Sequence, residues 1–223
     1  MNNYLIPTYN RLPVSFTKGE GAWLFDKNGE KYLDALTGIA VCGLGHCHPA
    51  VTEAICRQAE NLLHTSNLYG IPNQEALAEK LCRLSGLNST FFCNSGAEAN
   101  EAALKIARLY GNRRNIENPT VIVAQGSFHG RTMATLTATG NPNVQAGFEP
   151  LLEGFIRVPY DDIDAIEKLT SNHPNIVAVL VEPIQGEGGI RVPSSDYLPQ
   201  LRELCDKNEW LLMLDEIQTG IGR

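Results

Sequence analysis

The pattern of apolar and polar positions changes character near residue 89. Ahead of it the chain is amphipathic. "PAVTEAICRQAENLLH" sets Val51, Ala54, Ile55 and Leu62 on one helical face, and "NQEALAEKLCRLSG" does the same with Leu77, Leu81 and Leu84. Asn73 stands where a cap would start the second helix, and Gly86 where a glycine would end it. Further upstream, "AWLFDKNGEKYLD" (residues 22–34) predicts a hairpin. Two runs containing apolar residues flank Asn28-Gly29, a pair that suits a tight primed turn.

Beyond residue 89, short apolar runs alternate with helical segments. The runs are "TFFC", "TVIVAQ", "FIRVPY", "NIVAVLVEP" and "WLLMLDE". Between them, "AEANEAALKIARLY", "RTMATLTA", "DIDAIEKLT" and "YLPQLRELCDKN" have helical spacing. Strands apolar on both faces, alternating with helices, define an α/β protein whose mainly parallel sheet is covered by helices. Such sheets bind ligands at the carboxyl ends of their strands. The residues that follow each run are therefore the candidate chemistry.

"TFFC" is followed by Asn94-Ser95-Gly96-Ala97-Glu98. Ser95 and Glu98 form a capping box, and the amides at such a helix start also suit a phosphate. "TVIVAQ" is followed by Gly126-Ser127-Phe128-His129-Gly130-Arg131. Here an aromatic ring and a guanidinium can stack a planar ring and grip a carboxylate, or simply serve as core and surface residues. His129 is a candidate base or a hydrogen-bonding residue. After "NIVAVLV" come Glu182, Pro183, which stops the ladder, and Glu187 in a glycine-rich loop. Solvated acids in a turn are the plainer alternative. "WLLML" delivers Asp215 and Glu216, with Gln218 close behind. An acid at the end of a central strand is unfavourable unless a metal, an arginine or a protonated cofactor nitrogen meets it.

Composition narrows the classes. A net charge of −7 and a pI near 5.3 argue against a nucleic-acid or anionic-membrane surface, while a local anion pocket stays open. The longest apolar runs are about six residues, far short of the ~20 that span a bilayer. The start, "MNNYLIPTYNRLPVSF", has no basic segment leading into an apolar one, so a cytoplasmic protein is expected. Six scattered cysteines predict buried free thiols rather than a disulfide framework. Neither Gly186-Glu187-Gly188-Gly189-Ile190-Arg191 nor Gly43-Leu44-Gly45-His46-Cys47-His48 supplies the third glycine of a dinucleotide fingerprint. Cys42, His46, Cys47 and His48 lack a second pair at finger spacing, which disfavours zinc.

As a set, "GLGHCHP", "FFCNSGAEANEAALKIAR", "SFHGRT", "EPIQGEGG" and "LLMLDEIQTGIGR" resemble the class III (ornithine-type) aminotransferases, in the family's order and across essentially the whole chain. The resemblance implies fold type I and pyridoxal 5'-phosphate as cofactor. It divides the chain into residues 1–48, part of a smaller domain, and residues 49–223, an incomplete large cofactor-binding domain. Ser95, Gly96 and Ala97 would hold the cofactor phosphate, and Phe128 would stack on its ring. Asp215 would keep the ring nitrogen protonated, Gln218 would bond near the phenolic oxygen, and Glu182 would orient neighbours. Arg131 would grip the substrate carboxylate, and Glu187 would screen a substrate-binding arginine in one half-reaction. The "SGAEANEAALKIAR" and "FHGRT" stretches are most similar to members that act on acetylornithine in arginine biosynthesis. Acetylornithine, 2-oxoglutarate and glutamate, with a homodimer, are the implied partners. The family's Schiff-base lysine lies beyond the position matching Arg223. None of Lys105, Lys168 and Lys207 has a matching context, so these 223 residues alone are expected to be inactive.

Overall fold

The computed structural model describes residues 4–223. Their contacts divide into two compact units. One runs to Ser85 and includes Gly222–Arg223, and the other is Gly86–Ile221.

The first unit carries an antiparallel sheet in the order β1 (Phe16–Glu20), β2 (Trp23–Asp26), β3 (Lys31–Leu33). The β2–β3 hairpin forms as expected, but its turn differs. Gly29 takes a left-handed φ of 84° and Asn28 does not, so the turn is not of the primed kind. The Asp26 carboxylate explains this, because it accepts the amides of Asn28 (2.8 Å) and Glu30 (2.9 Å) and folds the loop around itself. After a short distorted turn, α1 (Thr37–Ala40), come α2 (Pro49–Asn61) and α3 (Pro72–Ser85). Asn73 is not the cap of α3. Proline is pre-organised for the first helical position, so the helix starts at Pro72, and the Asn73 side chain donates to Gln58 Oε1 (3.0 Å). Gly86, at φ 72°, follows the helix end in the left-handed conformation expected of it.

The second unit is built on a parallel sheet in the order β5-β4-β6-β7. Its strands are β4 (Thr120–Ala124), β5 (Phe155–Val158), β6 (Ile176–Val181) and β7 (Leu211–Leu214). Its helices are α4 (Gly96–Arg113), α5 (Met133–Ala138), α6 (Pro142–Gln145), α7 (Ile163–Thr170) and α8 (Tyr197–Asn208). The central strands β4 and β6 are buried at every position. Val121 and Val123 pack with Leu104 and Ala107 of α4 on one face, while Ile122 and Ala124 pack with Ile166 of α7 and Leu201 of α8 on the other. On β6 the alternation slips, and Val177 and Ala178 join the same cluster. The β4–β6 register shifts there, as a bulge requires.

"TFFC" is not a strand. An extended run becomes one only where a neighbour takes its ladder hydrogen bonds, and none of the described strands does so; Phe91 is exposed. The cysteines are all free, as expected, but only Cys205 is buried, and Cys47, Cys56 and Cys93 are exposed. Among the described residues, no helix is long and apolar enough to cross a membrane.

Candidate active site

The carboxyl ends of β4, β6 and β7 and the start of α4 converge within the second unit, and glycines let them approach. The loop after β4 is tied to the segment after α5 by two backbone bonds. Gly126 N donates to Gly140 O (3.0 Å), and Gly140 N donates to Ser127 O (2.8 Å). A Cβ on Gly140 would run into the backbone of Ala124, Gly126 and Ser127, so only glycine fits. A Cβ on Gly130 would meet Ala97 of α4 and Thr135. A Cβ on Gly96 would meet Ile217, and one on Gly186 would meet the side-chain oxygen of Gln218.

Ser95 caps α4, its hydroxyl accepting Glu98 N (3.2 Å), while Glu98 Oε2 accepts Asn94 N (2.7 Å). The serine cap therefore forms as expected, but the reciprocal half of the capping box does not, because the Glu98 carboxylate takes the amide of Asn94 rather than that of Ser95. The cap does not use the amides of Gly96 and Ala97, which belong to the first turn and have no partner within the helix.

Asp215 leaves β7 buried, 5% exposed. Its Oδ2 accepts Asn100 Nδ2 (2.8 Å) and His129 Nδ1 (2.8 Å), and its Oδ1 accepts Ile217 N (3.1 Å). A carboxylate only accepts, so His129 donates from Nδ1; its Nε2 is buried with no partner among the described residues. Asn100 Nδ2 also donates to the His129 carbonyl (2.8 Å). Glu182 is buried at the end of β6, where its Oε2 accepts Phe128 N (3.1 Å). Burial pushes its carboxyl above the usual carboxylate range, and the Phe128 amide offsets only part of that. Tyr160 Oη donates to the carbonyls of Glu182 (3.0 Å) and Pro183 (3.1 Å), fixing that corner.

Of the residues singled out in the sequence, Ser95, Gly96, Ala97, Phe128, Glu182, Asp215 and Gln218 thus come together through shared contacts. Arg131 and Glu187 lie exposed on the flanking loops. Asn100 was not anticipated. The available signal was a polar residue on the buried stripe of α4 with Leu104, Ala107 and Gly111. His129 takes the hydrogen-bonding role rather than that of a free base.

The Aminotransferase class-III family profile matches residues 4–223. The chain belongs to the class III aminotransferases. It is 62% identical over 221 residues to acetylornithine aminotransferase of Nitrosomonas europaea, covering 99% of this chain and 56% of that protein. Among solved structures, ornithine aminotransferase from Toxoplasma gondii ME49 superposes with a TM-score of 0.92 at 38% identity, over 98% of this chain and 52% of that one. Acetylornithine aminotransferase from Elizabethkingia anophelis gives 0.83 at 37%, over 99% and 52%. The chain spans about half the length of the relatives it matches. These structural neighbours are fold type I aminotransferases, and the family uses pyridoxal 5'-phosphate.

The residues present fit that cofactor. Among the described residues, the one ion-pair partner of Asp215 is His129, with no lysine or arginine against it. A buried carboxylate without a strong cation suits a protonated pyridine nitrogen. The amides of Gly96 and Ala97 and the Ser95 hydroxyl form the donor set that a phosphate requires.

Proposed function

We propose that the intact protein is an aminotransferase that moves the terminal amino group of N2-acetylornithine to 2-oxoglutarate, giving glutamate, in arginine biosynthesis. The observation that carries this is the 62% identity to an acetylornithine aminotransferase across 99% of the chain. The cofactor, once bound, supplies an electron sink for loss of a proton from the substrate carbon. The chain's own residues bind and orient. Ser95, Gly96 and Ala97 would hold the phosphate, Phe128 would stack on the ring, and Gln218 would bond near the phenolic oxygen. Asp215 holds the ring nitrogen's proton, and Glu182 fixes the Phe128 backbone. Arg131 grips the substrate carboxylate, and Glu187 screens a substrate-binding arginine between half-reactions. The division into residues 1–48 and 49–223, a homodimer and a cytoplasmic location belong to the same proposal.

An ornithine-type activity on ornithine, succinylornithine or 4-aminobutyrate is the second reading, and the Toxoplasma ornithine aminotransferase superposition supports its ornithine member. A donor panel with 2-oxoglutarate decides between them. Acetylornithine is expected to give the highest kcat/KM, and preference for free ornithine would overturn the first reading. Arg131→Lys is expected to raise KM for acetylornithine about tenfold or more, because a bidentate grip is lost. An unchanged KM would remove Arg131 from that role.

A non-catalytic role, binding cofactor or a partner chain, is the reading from another class. Borohydride reduction of the intact protein with pyridoxal phosphate, read by mass, would show one added cofactor if a Schiff-base lysine is present. No adduct would favour this alternative.

A further inference from the structure

We propose that Asn100 is a positioning residue that fixes Asp215 for the cofactor's ring nitrogen. The inference rests on the proposed role of Asp215.

The geometry is specific. Asn100 is 5% exposed and lies one turn inside α4, on the stripe that faces the sheet. Both protons of its Nδ2 are used, one on Asp215 Oδ2 (2.8 Å) and one on the His129 carbonyl (2.8 Å). The His129 ring donates to the same Oδ2 (2.8 Å). Asn100 thus spans both ends of the Asp215–His129 contact. It bonds the acid directly and pins the backbone from which the imidazole projects. Two donors saturate Oδ2, and Oδ1, with one backbone amide at 3.1 Å, keeps acceptor capacity for a further donor.

The chemistry follows from this arrangement. A carboxylate holds a neighbouring pyridinium in its protonated form only while it remains the anion in a fixed place. Each N–H donated to Oδ2 stabilises that anion and holds it in place. Asn100 brings this stabilisation without charge. A lysine or arginine there would neutralise Asp215 and compete with the ring nitrogen for it. Without Asn100, Oδ2 would keep only the His129 ring as donor and Oδ1 only the longer Ile217 amide bond at 3.1 Å, so the acid would be held less firmly. The backbone bond to His129 also couples the acid to the loop that carries Phe128 and Arg131.

The test uses the intact protein reconstituted with pyridoxal phosphate carrying 15N in its ring. The 15N shift reports directly whether the ring nitrogen is protonated. Asn100→Ala is expected to weaken cofactor affinity about tenfold, the effect of one lost hydrogen bond to a charged acceptor. It should also shift the pH at which the ring nitrogen loses its proton to a lower value. Asn100→Ser, which retains a donor, should recover part of both; it also supplies the comparison if the alanine variant does not fold. Asp215→Ala is the reference, and it should abolish the protonated-nitrogen signal near neutral pH. If the Asn100 variants keep wild-type affinity and a wild-type 15N titration while Asp215→Ala loses both, Asn100 is structural and the proposal is overturned. If Asp215→Ala also leaves the signal intact, the assigned role of Asp215 itself is wrong.

Discussion

The two compact units hold their shape by different means. In Gly86–Ile221, β4 and β6 are buried at every position, and two apolar clusters cover the two faces of the sheet. In the unit that runs to Ser85, α2 and α3 contain no buried residue, and Val51, Ile55, Leu62 and Leu63 of the α2 segment are exposed. Among its described residues the acid Asp26 is buried and organises a turn, and the side chain of a second acid, Asp34, is buried against His46. One unit is held mainly by apolar burial, the other by backbone pairing and local polar bonds. The first mechanism scales with buried area and tolerates little change in shape. The second lies in a few identifiable groups.

The largest test of this contrast pairs two isoleucines. Ile122→Ala, at a fully buried position, should destabilise by about 2–5 kcal/mol in chemical denaturation. Ile55→Ala, at a position 63% exposed, should change stability by no more than about 0.5 kcal/mol. An equal loss for the two would mean that the α2 face is covered in solution, and the contrast would fail.

Next comes the turn. Asp26→Ala removes a carboxylate that accepts two backbone amides at 2.8 and 2.9 Å. The expected loss is about 1.5–3 kcal/mol, read as faster hydrogen exchange of the β2–β3 amides while the parallel sheet stays protected. Uniform loss of protection in both units would show that they unfold as one.

A smaller effect is expected at α4. Ser95→Ala removes the hydroxyl that accepts Glu98 N and should cost about 1 kcal/mol of thermal stability. No change in Tm would leave Glu98 as the effective cap.

The smallest concerns Glu182. Its carboxyl is pushed up by burial, so the folded protein holds that proton to higher pH than the unfolded chain does. The contribution to stability is full below the unfolded carboxylate range and is lost as pH rises through the raised folded value. Glu182→Gln stays neutral throughout. It should melt slightly above wild type near about pH 8 and converge with it near about pH 4. A difference that grows toward acid pH would reverse the assignment.

Local order was legible in the sequence because it depends on neighbours along the chain. Periodicity located the helices α2, α3, α4, α7 and α8 and the strands β4 to β7 to within a few residues, and with them the alternation that makes the sheet parallel. The strand-end rule then pointed to Ser95, Phe128, Glu182 and Asp215. Where the sequence misled, a group that the apolar pattern does not weigh decided, in one case a missing partner strand and in two a near neighbour. "TFFC" has apolar content but no strand beside it, the Asp26 carboxylate reshaped the Asn28-Gly29 turn, and Pro72 displaced Asn73 from the cap.

Only the tertiary structure decided what surrounds Asp215. Asn100 lies 115 residues from it in sequence and His129 lies 86 residues away, yet both donate to one oxygen. No periodicity or spacing encodes that meeting. It follows from the register of β4, β6 and β7 and from glycines whose missing Cβ atoms let α4 and the strand-end loops close on one another. Side chains set the elements through short-range bonds and burial. The charge balance of the site is a sum over groups that come near one another only when the sheet has formed.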